Sequence, residues 1–277
     1  MSALILKILA VVSMLIDHTA ASCFSKWGLS RIQVSFLNGM SLYTLGRIIG
    51  RSAFLIYCFQ IVEGVKYSKD LRKYALRLGI LAIVSEIPFD FGLHGLSLFS
   101  GQLAAKGFWE SIDWKHQNVF FTLLLGMLCV SLLKLSRQWL YKKKDQHRCF
   151  LFLCIMRYVL YAGLSIATGW FAKYVMHTDY GMGGVVMICI IGLKDEHWED
   201  LSPFLPQRIF DALFCAAGLY ACCSILNSTL EKYAAFALIP IILFNGKKGY
   251  SSKKLQYAFY TFYPVHLMVL GALKYLT

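Results

Sequence analysis

The chain has 277 residues, of which 58% are hydrophobic, 15% aromatic and only 16% charged. Soluble domains carry roughly a quarter charged residues, so the composition excludes a disordered chain, a disulfide-built secreted module and an ordinary water-soluble enzyme. The net charge of +13 does not point to nucleic acid, because the basic residues sit in short loops between apolar runs and not on one groove-reading face.

Apolar runs long enough to cross a bilayer, about 20 residues each, recur from residue 4 to the C-terminus. The predicted fold is all-α: a single polytopic transmembrane helix bundle of about nine to ten spans over residues 1–277. In chain order the helices are expected near 4–24, 43–63, 71–93, 118–135, 150–173, 180–194, 209–226, 231–244 and 257–275. The sixth and eighth are short enough to be tilted or broken. The stretch 94–117, with Phe108, Trp109 and Trp114, suits an interfacial helix. With the N-terminus in the cytoplasm, most lysines and arginines fall on the inner side, among them Lys66, Lys69, Lys142, Lys194, Lys247 and Lys248, as the positive-inside rule requires. The cysteines, including vicinal Cys222 and Cys223, form no CxxC pair and read as small buried hydrophobes.

Ionisable residues at bilayer depth are costly and each needs a reason. Asp17 and His18 lie past the middle of the first helix. Adjacent helix positions point about 100° apart, so both need partners from other helices. The second helix supplies Tyr43, Arg47 and Arg51 at i, i+4, i+8, one polar stripe at the depth of Asp17 and His18. Two guanidiniums on one stripe need anions. Asp17 serves one, and the other needs a second carboxylate, carbonyls or a bound phosphate. The plain alternative is that Asp17 with Glu63 or Glu86 neutralises the arginines in a helix-packing network. Glu86 precedes Pro88, which loosens the third helix. Arg77 can snorkel to the surface. Asn118, Thr122 and Gly126 share one face of the fourth helix, and Asp179 in HTDYGMGG is placed to cap the next. Near the end, FNGKKG is a glycine-flanked basic loop suited to an anionic ligand, and His266 is the second histidine at bilayer depth. His18 and His266 can meet, but no ligand spacing suggests a metal site, and no phosphate-binding or nucleophile-elbow motif is present. On the residues alone, an ion or small-molecule transporter and a scaffold for envelope or pilus assembly stay open beside an enzyme.

The blocks KILAVVSMLIDH (7–18), GRIIGRSAF (46–54), VEGVKYSKDLRKYALRL (62–78), SEIPFDF (85–91), NVFFTLLLG (118–126), DYGMGGVVMI (179–188), FNGKKG (244–249) and FYPVHLMVL (262–270), taken in this order, resemble the TraX family of bacterial integral-membrane proteins. The resemblance covers nearly the whole chain. It implies a multi-pass protein of the bacterial cytoplasmic membrane. The family's namesake is associated with N-terminal acetylation of conjugative pilin, and the family is similar to transmembrane acyltransferases that use a buried histidine supported by arginines. It therefore implies an acetyltransferase with acetyl-CoA as co-substrate and a pilin amine or a surface glycan or lipid group as acceptor. His18 is the implied base or acyl carrier, supported by Asp17, Arg47 and Arg51. Arg51, Arg77, Asn118, Lys247, Lys248 and His266 are the implied contacts to the co-substrate.

Overall fold

The computed structural model of the protein describes residues 1–34, 39–94, 115–142, 150–196 and 206–276. These residues form α1 (Ala3–Cys23), a hairpin of β1 (Gln33–Val34) and β2 (Met40–Ser41), α2 (Leu42–Tyr67), α3 (Leu71–Phe89), α4 (Val119–Lys142), α5 (Phe150–Tyr174), α6 (Gly181–Gly192), α7 (Gln207–Leu226), a short α8 (Leu238–Ile242) and α9 (Lys253–Leu276). The all-α class holds. Five helices, α1, α2, α4, α5 and α7, are long and apolar enough to cross a membrane. α3 and α9 are long too, but they carry Arg72, Lys73, Arg77 and Glu86, and Lys253, Lys254 and several tyrosines. The expected interfacial helix with Phe108, Trp109 and Trp114 lies outside the described residues.

The helices begin where capping chemistry predicts. Ser2, Ser41 and Asp70 accept from the backbone N–H groups of Ile5, Thr44 and Lys73 and so satisfy otherwise orphaned donors. One expected span is not a continuous helix. Residues 231–244 form a 3₁₀ segment (Glu231–Ala237) followed by α8, which contains Pro240. Proline is tolerated in a first helical turn and not in the interior of a long helix. α3 runs through Pro88 and then widens into a π-turn, Asp90–His94. The Gly92 carbonyl of that turn accepts from Ser22 of α1 at 2.7 Å.

α2 is the axis of the bundle. Its Leu55, Cys58, Phe59 and Val62 have no exposed surface. α1 lies against it through Gly46 and Gly50. A Cβ on Gly50 would stand 2.1 Å from the Cβ of Asp17, and one on Gly46 2.7 Å from that of Ala20. Small residues four apart are what let two helices approach at backbone distance. α5 sits at the rim and turns Leu151, Phe152, Val159 and Leu160 outward, an apolar exterior of the kind that lipid demands.

At the end of the bundle holding the N-terminus of α1, Lys194 closes a second polar cluster. Expected as an inner-side charge at the end of the span 180–194, it is only 1% exposed. Its Nζ lies 2.5 Å from Glu63 and 3.1 Å from Asp211, joining α2 to α6 and α7. A lysine this buried survives only when paired.

The contact at Gly50 predicts that Gly50→Val drives α1 away from α2 and costs about 1–3 kcal/mol or more. Gly163→Ala, whose new methyl meets nothing within 4 Å, leaves the fold unchanged. Thermal unfolding in detergent reads both.

Candidate functional site

The close crossing of α1 and α2 sets Asp17 directly under the arginine stripe. Arg47 Nη1 donates to Asp17 Oδ2 at 2.8 Å. Arg51 Nη2 donates to both oxygens of Asp17, at 2.9 and 3.1 Å. The second anion is neither Glu63 nor Glu86. Arg51 Nη1 donates to Glu231 Oε1 at 2.7 Å and to the Tyr180 hydroxyl at 3.1 Å. Its Nε faces the Arg47 carbonyl at 3.4 Å. Tyr180 is braced by its ring, stacked 3.6 Å from that of Phe54. Two guanidiniums thus meet two carboxylates, and Arg51 has its donors committed. Arg47 gives one bond to Asp17 and keeps 23% of its side chain exposed, against 10% for Arg51.

Glu63 pairs with Lys194 instead. Glu86 accepts from Asn118 Nδ2 at 2.5 Å and from the Asn118 backbone N–H at 3.3 Å. Asn118 also donates to the Ala82 carbonyl and accepts from the Phe120 N–H. It is fully buried, holding the start of α4 against α3.

His18 takes its partner from the far end of the chain. Its Nδ1 lies 2.7 Å from Nε2 of His266, with the ring planes 4° apart. Nδ1 of His266 lies 2.9 Å from the carbonyl of Phe262. The network assigns the tautomers. A carbonyl only accepts, so His266 carries hydrogen on Nδ1. A neutral His266 then offers Nε2 as acceptor, so His18 must donate from its own Nδ1. Neutral His18 is left with a bare Nε2, for which no described residue is a partner. A base oriented by a second group, itself fixed by a third, is the general pattern of an activated proton acceptor. Tyr263 packs edge-on to both rings.

His18 lines a cavity of about 320 Å³ together with Asp17, Arg47, Arg51, Asp179 and Tyr180. A larger cavity of about 590 Å³ enters from the opposite end of the bundle. Its mouth carries Lys7, Arg77, Lys247 and Lys248, and its walls are aromatic, with Tyr74, Phe120, Phe259 and Tyr260 among them. Three residues, Met14, Tyr57 and Tyr263, line both cavities. They belong to one packed apolar cluster, so a single layer of side chains separates the two spaces. On α1 and α9 the layer lies one turn from the histidines: Met14 is four residues before His18, and Tyr263 three before His266.

The basic loop is held in place by the start of the chain. Ala3 N–H donates to Lys247 O at 2.9 Å, Leu4 N–H to Lys248 O at 3.3 Å, and Asn245 N–H to Met1 O at 2.9 Å. Gly246 and Gly249 have φ of 72° and 77°, left-handed values that glycine adopts freely.

The expected co-substrate contacts therefore separate. Lys247, Lys248 and Arg77 share the larger cavity. Arg51 faces the smaller one, His266 stands behind His18, and Asn118 lines neither. Asp179 does not cap α6. The N-cap position is Tyr180, with φ 61°, and Asp179 Oδ1 accepts only from the Tyr180 N–H, at 3.1 Å. The Asp179 side chain is exposed and lines the smaller cavity. No group of three or more His, Cys, Asp or Glu among the described residues is placed to hold a metal ion. Glu231, Tyr57 and Met14 carried no assignment from sequence. Glu231 had one signal: it is the only acidic residue after Asp211.

A bundle with apolar flanks, a buried ion-paired centre and an oriented histidine defines a membrane protein with an internal polar site. Residues 2–274 match the family described as TraX protein, and the chain belongs to that family. It is similar to the probable fimbrial assembly protein FimC, serogroup H1, of Dichelobacter nodosus, with 26% identity over 99% of this chain and 96% of that one. No solved structure matches.

The ion pairs predict unequal roles for the arginines. Arg51→Met leaves Asp17 short of one partner and strips Glu231 of its own, and costs about 3–5 kcal/mol. Arg47→Met leaves Asp17 still held by Arg51 and costs clearly less. Melting temperatures of the two variants in the same detergent check the order.

Proposed function

We propose that this protein is a membrane-embedded acetyltransferase of the bacterial cytoplasmic membrane, with its N-terminus in the cytoplasm and about nine to ten spans. It moves an acetyl group from cytoplasmic acetyl-CoA to an acceptor at or across the membrane. A pilus subunit is the acceptor that the family and the fimbrial relative favour, with a surface glycan or lipid group as the alternative. The observation that carries this reading is the pair of cavities reaching in from opposite ends to one three-residue layer, with His18 lining the inner end of the smaller one.

In this reading the larger cavity faces the cytoplasm. Lys7, Arg77, Lys247 and Lys248 suit the phosphates of coenzyme A, and the aromatic walls suit its pantetheine arm. Arg77, Lys247 and Lys248 thus keep the binding role that the resemblance implies, while Arg51 and His266 serve the reaction centre. His18 Nε2 takes the proton from the acceptor's nitrogen or oxygen. The acceptor attacks the acetyl carbonyl, the new C–N or C–O bond forms, the C–S bond breaks, and the proton passes to the leaving thiolate. His266 orients the ring and shares the charge that His18 gains. Arg47, with donors uncommitted, is placed to receive the developing oxyanion. Arg51 and Asp17 fix that arginine in position.

A scaffold in pilus assembly is the second reading, favoured by the name of the fimbrial relative alone. It makes the cavities incidental. The two readings divide on a measurement that needs no acceptor. Acetyl-CoA at about a hundredfold over its dissociation constant raises apparent stability by about 2.7 kcal/mol. The shift persists in His18→Ala, which abolishes transfer, and is lost or much reduced in the double variant Lys247→Glu/Lys248→Glu. No shift in the well-folded wild type favours the scaffold.

A further inference from the structure

The smaller cavity has one charged wall residue that the reaction centre leaves unused. Arg47 and Arg51 are both ion-paired, and their carboxylate partners, Asp17 and Glu231, are committed to them. The remaining titratable side chains on the wall are His18, His116, Tyr57, Tyr180, Tyr263 and Asp179. Tyr180 is held by Arg51 and His18 by His266. Asp179 differs from all of these. Its carboxylate lines the cavity, makes no ion pair among the described residues, and accepts only from the backbone N–H of the next residue. Counting Glu231, which pairs with Arg51 without lining the cavity, two arginines meet three carboxylates, and the one without an ion pair among the described residues is Asp179.

The backbone beneath that carboxylate is fixed. Asp179 N–H donates to Gln117 O at 2.9 Å, its carbonyl accepts from the Thr122 hydroxyl, and Gly181 N–H closes onto Thr178 O at 2.9 Å. His177 and Tyr180, two of the three non-glycine residues with positive φ among the described residues, flank it. Each such conformation costs of order 1 kcal/mol. The backbone is held strained while the side chain stands exposed at the cavity, under the pull of Arg51 but not bonded to it.

We infer that Asp179 is the residue that selects the acceptor, by pairing with a positively charged primary ammonium that enters the smaller cavity. The inference rests on the acetyltransferase reading above. A protonated amine cannot attack a thioester, so the captured ammonium must first surrender a proton. The bare Nε2 of His18, on the same cavity wall, receives it. The neutral amine then attacks the acetyl carbon, the C–N bond forms, the C–S bond breaks, and the leaving thiolate takes up a proton as thiol. The sum is ammonium plus acetyl thioester giving amide, thiol and one released proton. A hydroxyl acceptor brings no charge for Asp179 to hold.

The test uses purified full-length protein, acetyl-CoA and two apolar peptides, one with a free N-terminal amine and one identical but beginning with the corresponding α-hydroxy acid. For the amine peptide, Asp179→Asn raises KM about tenfold or more while kcat falls far less. Asp179→Glu restores part of the loss, and transfer to the hydroxy peptide is the same in all three proteins. Equal loss with both peptides, or an unchanged KM for the amine, overturns this inference and leaves the acetyltransferase reading standing. A folded wild type that acetylates neither peptide overturns that reading, and the inference with it.

Discussion

The guanidinium of Arg51 is the point from which the upper half of the molecule is organised. It reaches α1 through Asp17, the α5–α6 connection through Tyr180, the 3₁₀ segment through Glu231 and its own helix through the Arg47 carbonyl. These groups are largely buried, and a buried charge left unpaired costs several kcal/mol, so each of these bonds constrains the fold. The glycines at 46 and 50 follow from the same requirement. Only a side-chain-free surface on α2 brings the backbone of α1 near enough for a carboxylate as short as aspartate to reach two arginines.

A buried ion pair is weak evidence for stability and better evidence for a fixed geometry. Here the geometry serves the neighbour of Asp17. Because consecutive helix positions diverge, holding Asp17 toward α2 turns His18 the other way, toward α9, where His266 meets it. The arginine cluster and the histidine pair are two consequences of one helix being clamped in one rotation. The lower cluster around Lys194 does the same for α6 and α7, so the bundle is pinned by charge at both ends and filled by apolar contact between them.

The sequence made most of this skeleton readable and the wiring less so. The helices lie close to where the apolar runs place them, because in a bilayer the length and hydrophobicity of a run leave little choice. Asp17, Arg47 and Arg51 were legible as a group from their spacing and shared depth, and the structure joins them. Their fourth member was not, since Glu231 begins a run that reads as apolar and carries no periodicity that aims it inward. Lys194 was misread for a related reason: a cation at the end of a span looks like an orientation signal until a buried glutamate and aspartate from two other helices are found around it. His18 and His266 were seen as able to meet, and the structure joins them, although nothing local to residues 253–276 fixes that contact.

That last pairing has a temporal side. His18 and His266 stand 248 residues apart, and the segment that buttresses the basic loop is the start of the chain. Synthesis delivers α1 first and α9 last. Until the final helix inserts, His18 has no partner on its Nδ1. The histidine pair is therefore absent from every nascent form that lacks α9, however well its earlier helices are packed. Joining distant ends costs entropy that grows only logarithmically with separation, so the arrangement obtains an all-or-none histidine pair at small expense in stability.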